Sequence, residues 1–244
     1  MLKKLGKLLK YEFRFYLRVL PPIYIAIMVM SLVVRIQEKM PKDGTPFLLP
    51  LAVLGALITA MAVITIILII QRFTDNFMKD PGALMFTLPV TVWALTASKA
   101  IAAFCMILMS ALAVAASGFI YVVGTLDWTL NIPATPLQII VYSLVVFIMI
   151  FFQICLIYGV ITASHILPRF RFAAGCAAYL VITYFLQETV FRLVSRNSIL
   201  ERGVHLYGDE AALSLIPMGL ATLALTALFF WATGFLLKRS FNLE

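Results

Sequence analysis

The sequence predicts an all-α, polytopic membrane protein of six transmembrane helices, and three observations carry that prediction. Of the 244 residues, 63% are hydrophobic and only 12% charged, against roughly a quarter charged in soluble globular domains. The mean hydropathy is +1.04. The apolar residues gather in stretches long enough for a hydrocarbon core that takes about 20 residues to cross, and the basic residues divide unevenly between the connections.

The apolar stretches are 19–34, 48–70, 95–124, 137–160, 172–191 and 213–237, within one transmembrane domain of residues 1–244. Pro21-Pro22, Pro50, Pro136 and Pro217 sit near the starts of spans, where a missing N–H does least damage. The third stretch is long enough to tilt or to project beyond the bilayer. With both termini in the cytosol, thirteen of the nineteen Lys and Arg residues fall inside and six outside, as the positive-inside rule requires. The net charge is then +9 inside and −1 outside. Topology therefore accounts for the isoelectric point of about 9.5, and no nucleic acid partner is implied.

Residues 1–18 form an amphipathic helix. Lys3, Lys7, Lys10, Arg14 and Arg18 recur at spacings of three and four, while Leu2, Leu5, Leu9, Phe13 and Tyr16 repeat on another face. Such a helix lies in the inner headgroup layer until the chain turns up at Pro21-Pro22. It is not a cleavable signal, because the charged part is too long and no small-residue cleavage site follows. Cys105, Cys155 and Cys176 fall inside predicted spans with no Cys-x-x-Cys spacing, and His165 and His205 lie on opposite sides of the membrane. Neither a disulfide nor a metal or catalytic cluster follows from them.

The most informative stretch lies between the second and third spans: Asp80-Pro81-Gly82-Ala83-Leu84-Met85-Phe86-Thr87-Leu88-Pro89-Val90-Thr91. It is too broken by proline, glycine and charge to cross a bilayer and too apolar for an ordinary solvated loop. Asp80 suits a cap and Pro81 a first helical residue, and Pro89 pushes Leu88 out of helical geometry, which leaves one or two helical turns. Leu84, Met85, Phe86 and Leu88 then face the cytosol, and an apolar patch there reads as a partner surface or as a turn resting on the headgroups.

The chain carries no engine of its own. Nothing matches the GxxxxGK[ST] phosphate loop, since Gly6-Lys7 is followed by Leu8, so ATP hydrolysis by that route is excluded and no catalytic, cofactor-binding or metal residue is expected. Coupling to an ion gradient calls for ionisable groups buried mid-membrane, and the spans are almost free of them. Glu188 is the nearest, with Arg192 four residues on, at the spacing of a structural ion pair near the outer edge; a proton relay is the alternative.

On these residues the chain resembles the permease subunits of ABC-2 type ABC exporters, especially the small six-span Gram-positive-type members. Their acidic-x-Gly-x-Leu-x-x-Thr-Leu-Pro-x-Ser/Thr signature after the second span is met by Asp80, Gly82, Leu84, Thr87, Leu88, Pro89 and Thr91, and Lys99 matches a lysine that commonly opens the third span. The resemblance in architecture covers nearly the whole chain. It implies that 74–94 is the cytosolic coupling-helix segment, with Met85 and Phe86 among its contacts, and that 1–18 is the elbow helix. It also implies that 192–212 is an outer helical element, for which a solvated loop is the alternative. The implied partners are a separate ATP-binding subunit, which holds ATP and Mg, a second copy or homologue of the permease, and membrane lipid. ATP-driven closure of two such subunits would shift 74–94 and open the pathway between two half-transporters. Aliphatic and aromatic candidates such as Phe104, Met109, Phe147, Met149, Phe151 and Phe152 suit a hydrophobic or amphipathic cargo, a peptide or antibiotic.

Two other classes fit less well. A secondary transporter lacks membrane carboxylates and an obvious inverted repeat. Gln187-Glu188-Thr189-Val190-Phe191-Arg192 approaches the Glu-Glu-x-x-x-Arg motif of an intramembrane glutamate-type protease, but the first Glu is Gln187 and no partner histidines follow at suitable spacing.

Overall fold

A computed structural model describes residues 2–38, 48–77, 92–122, 135–164, 171–196 and 215–240, and among these all regular structure is helical. The helices are α1 (Leu2–Val19), α2 (Pro21–Glu38), α3 (Leu48–Phe77), α4 (Val92–Val122), α5 (Pro136–Ser164), α6 (Arg171–Arg196) and α7 (Ile216–Ser240). The chain divides into two compact units, Met1–Leu130 and Asn131–Glu244.

Each of the six apolar stretches has a helix over most of its length. Four helical segments are long and apolar enough to cross a membrane: Leu48–Asp75, Val92–Ile120, Pro136–Ser164 and Ile216–Lys238. A fifth is reached when Leu9–Val19 and Pro21–Gln37, bent by 43° at their junction, count as one span. The 18 described residues of α2 cover about 27 Å at 1.5 Å per residue, close to the roughly 30 Å hydrocarbon core. On α6 the apolar run ends at Gln187 and Glu188, which leaves about 22 Å of uninterrupted apolar helix.

The bend between α1 and α2 follows from Pro21-Pro22. Two successive residues without an N–H break the ladder, and their rings clash with carbonyls one turn back. The Leu20 amide still closes the last turn of α1 onto the Tyr16 carbonyl (3.0 Å), and the Leu20 carbonyl opens α2 by accepting from Ile23 (3.0 Å) and Tyr24 (3.1 Å). At 43° the turn is about half of the right angle that an upright span following a flat helix would need.

In the first unit α2 packs on α3 and α4, and α1 packs chiefly on α4. The α4 face that receives them is built of small residues, with Ala100, Ala102, Ala103, Ser110, Ala113 and Ser117 all buried. Small side chains let helix backbones approach closely, which is the main source of packing energy between helices in lipid. Leu68, Ala102 and Met106 meet Tyr16 and Leu20 at the bend, and Ile27, Val34, Leu54 and Met61 form a second cluster along α2 and α3. Between them a hydroxyl chain crosses three helices: Tyr24 Oη lies 2.9 Å from Ser110 Oγ, which lies 3.3 Å from Thr65 Oγ1.

The second unit starts at a capping box. The Thr135 amide donates to Gln138 Oε1 (3.1 Å) and the Gln138 amide to Thr135 Oγ1 (3.4 Å), with Pro136 at the first helical position. From there α5 runs parallel to α7 and antiparallel to α6. Val145 faces Gly219, and Gly159 faces Phe229 and Thr233 further along both helices. Tyr179 of α6 donates to Gln153 Oε1 at 3.3 Å, and Gly175 meets Ser164. Phe152, Leu156 and Val160 form the core.

Gly159 lets α5 and α7 approach closely, since a Cβ there would lie 3.2 Å from Thr233 Oγ1 and 3.3 Å from Phe229 Cδ1. Gly159→Val is therefore expected to lower stability by about 1–3 kcal/mol through overpacking. Gly55→Ala, where nothing lies within 4 Å of the added methyl, is expected to be neutral or to stabilise α3 by about 0.5–1 kcal/mol. Thermal unfolding in detergent reads both.

Candidate functional site

The feature that stands out chemically is a buried carboxylate. Glu12 is the only acidic residue before Glu38, and α1 turns it inward with Leu9, Phe13 and Tyr16, away from the exposed Lys10, Arg14 and Arg18. The helical period produces this division, because residues 9, 12, 13 and 16 share one face and 10, 14 and 18 the other. Glu12 Oε2 accepts from Arg72 Nε of α3 at 2.7 Å, and Glu12 Oε1 accepts from Lys99 Nζ of α4 at 3.0 Å. The side chains of Lys99 and Glu12 are 3% and 7% exposed, and that of Arg72 is 26% exposed. The Arg72 guanidinium also sits over the Phe15 ring, 4.7 Å from its centroid, and Phe15 meets Tyr16 edge to face.

One carboxylate thus ties three helices at one level. Arg72 lies five residues before the end of α3 and Lys99 seven residues after the start of α4, so the tie closes the mouth of the connection between them. Desolvating three charges together is expensive, and mutual attraction with short charge-assisted hydrogen bonds offsets it.

That connection holds the segment singled out in the sequence. Asp80, Gly82, Leu84, Met85, Phe86, Thr87, Leu88, Pro89 and Thr91 lie outside the described residues. Their supports do not: α3 ends at Phe77 and α4 begins at Val92. Lys99, noted in the sequence as opening the third span, is the buried cation of the tie. Glu188 is partly buried on α6, one turn before Arg192, whose side chain lies outside the described residues, as do His165, His205 and all but the first five positions of 192–212. The three cysteines are unpaired, with Cys155 buried, Cys105 half-buried and Cys176 exposed. Among the described residues no group of three or more His, Cys, Asp or Glu gathers as a metal would need.

Of the side chains suggested for a pathway, Met109 and Phe147 are exposed and Phe104, Met149 and Phe151 half-buried. Phe152 is a packing residue: it is buried against Phe229 at a centroid distance of 5.9 Å and an interplanar angle of 73°. The Glu12 tie was not foreseen. Its signal was present, a lone acid among basic residues on an amphipathic helix, but its partners are 60 and 87 residues away.

Compared with protein-family models, with curated proteins and with solved structures, the chain matches none.

The two arms of the tie differ in burial, so their removal should differ in cost. Glu12→Ala takes the carboxylate from a buried lysine and is expected to cost about 3–5 kcal/mol. Arg72→Ala leaves Lys99 on Glu12 and removes a partly solvated partner, at about 1–2 kcal/mol. Thermal or denaturant unfolding of the two variants in one detergent checks the order.

Proposed function

We propose that the chain is the transmembrane permease subunit of an ABC exporter of the ABC-2 type, forming half of a translocation pathway that a separate ATP-binding subunit drives. The observation that carries the reading is the signature from Asp80 to Thr91 in the connection between α3 and α4. It supplies apolar side chains, bounded by an Asp-Pro start and a Leu-Pro stop, in a stretch too short and too broken to span a membrane. Supporting it are the helices long and apolar enough to cross a membrane, the distribution of Lys and Arg that favours cytosolic termini, and the lack of a phosphate loop in the chain itself.

On this reading the six apolar stretches are six spans, α1 is the elbow helix, and 74–94 carries the coupling helix that seats in a groove of the ATPase. ATP and Mg bind in that partner, and two permease chains, identical or homologous, enclose the pathway. Displacement of the coupling segment reaches the spans through the ends of α3 and α4, which Glu12 joins to each other and to α1. A rigid neck passes a shift on; a slack one absorbs it. The aliphatic and aromatic character of the spans favours a hydrophobic or amphipathic cargo such as a peptide or antibiotic.

Burying a Leu or Phe side chain in a partner groove contributes roughly 1.5–3 kcal/mol. Leu84→Asp and Phe86→Asp are therefore expected to lose co-purification with the cognate ATP-binding subunit while membrane insertion stays at wild-type level. Retention of the complex by both variants would contradict the coupling assignment and leave the segment as a turn on the headgroups.

A further inference from the structure

Among the described residues, the apolar face of α1 is turned into the protein. Leu9, Phe13, Tyr16 and Leu20 are packed with Leu68, Ala102 and Met106 of the protein itself, so what α1 offers its surroundings is the opposite side. That side carries Lys10, Arg14 and Arg18, all exposed and spaced by four residues, with Tyr11 and Phe15 along its edge at 69% and 38% exposure. No carboxylate balances this row within α1, because Glu12 is turned inward. Beside the aromatic edge stands Arg72. Its Nε–H is committed to Glu12 and its plane is held over Phe15, yet among the described residues its two terminal nitrogens have no hydrogen-bond acceptor and the side chain remains 26% exposed.

We propose that this side of α1, with Arg72 at its edge, is a binding site for the headgroup phosphate of anionic phospholipid. A guanidinium fixed at Nε and by stacking has lost its rotamer freedom in advance and presents its remaining donors as a fork, the geometry that pairs with two non-bridging phosphate oxygens. The occupant is a lipid because of where the fork stands. Arg72 stands two residues past the apolar run 48–70 of α3, after Gln71, at the level where a span leaves the hydrocarbon. Exposed aromatic rings beside cations are the composition of that boundary. The row Lys10, Arg14 and Arg18 adds the attraction of an anionic leaflet for a basic helix. Glu12 accordingly has a second role: by holding Arg72 it orients the fork.

The experiment is native mass spectrometry of the whole chain extracted from vesicles of mixed phosphatidylglycerol and phosphatidylcholine, counting the lipids that stay bound. Phosphatidylglycerol is expected to be retained in preference to phosphatidylcholine. Arg72→Gln is expected to weaken the retained phosphatidylglycerol roughly five-fold, the equivalent of about 1 kcal/mol per basic residue at an anionic surface. Arg14→Gln with Arg18→Gln tests the same site without touching the ion pairs, since both residues are exposed, and a fall in retention is expected there too. A drop in either variant supports the site. Equal retention of the two lipids by the wild type, or unchanged phosphatidylglycerol in both variants, overturns it. Inorganic phosphate added at millimolar concentration is expected neither to displace the lipid nor to raise the unfolding temperature; stabilisation by phosphate alone would overturn the assignment to lipid.

Discussion

The first unit depends on the carboxylate of Glu12. It accepts from both Arg72 and Lys99, and it sets the register of α1 against two other helices. Apolar contacts alone would not. The cluster that receives α1 is made of Leu68, Ala102 and Met106, whose apolar contacts are not directional, whereas a buried acid has one position in which both oxygens are satisfied. A buried ion pair adds little net stability relative to a well-packed apolar substitute, but removal of one partner is severe. Glu12 therefore acts here as a specifying group, one that makes every other seating of α1 worse.

Its effect is enlarged by the break that precedes α2. Pro21 and Pro22 contribute no amide to the ladder, and the contacts of α1 are made mainly with α4 rather than with α2, its neighbour in sequence. The helix is joined to α2 by chain continuity and to α3 and α4 by charge. Because Arg72 and Lys99 stand near the ends of α3 and α4 that border 78–91, Glu12 holds those two ends and α1 together. The second unit has no such node among its described residues. There α5 and α7 run side by side, fitted through Gly159 and closed by Phe152 on Phe229, and the threonines of α7 return their hydroxyls to carbonyls of their own helix. One unit is registered by charge and the other by shape.

Much of the fold was legible because lipid imposes a simple grammar. Apolar runs of span length gave helices, and Pro21-Pro22 marked the place where one helix ends and the next begins. The amphipathic pattern of residues 1–18 correctly separated Leu9, Phe13 and Tyr16 from Lys10, Arg14 and Arg18. What periodicity did not say is what covers the apolar face: the expectation was the headgroup layer, and the cover is α4 with its neighbours. The Glu12 tie escaped for a related reason, since a pairing across 60 or 87 residues leaves no periodic trace. Arg72 and Lys99 were read as markers of sidedness, whereas their positions place them at a crossing of helices.

The claim on which the rest turns is that Glu12 and Lys99 act as a pair and not as two separate buried groups. A double-mutant cycle with neutral substitutions isolates that term: Glu12→Gln, Lys99→Gln and the two together, with unfolding measured for each in one detergent, and Arg72 left in place at its partly exposed position. The account predicts that each single substitution is costly, because it leaves the other charge buried without its partner, and that the double variant loses much less than the sum of the two, a coupling well beyond the roughly 0.5 kcal/mol within which independent sites add. Additive losses, with the double variant as unstable as the sum of the singles, would contradict it.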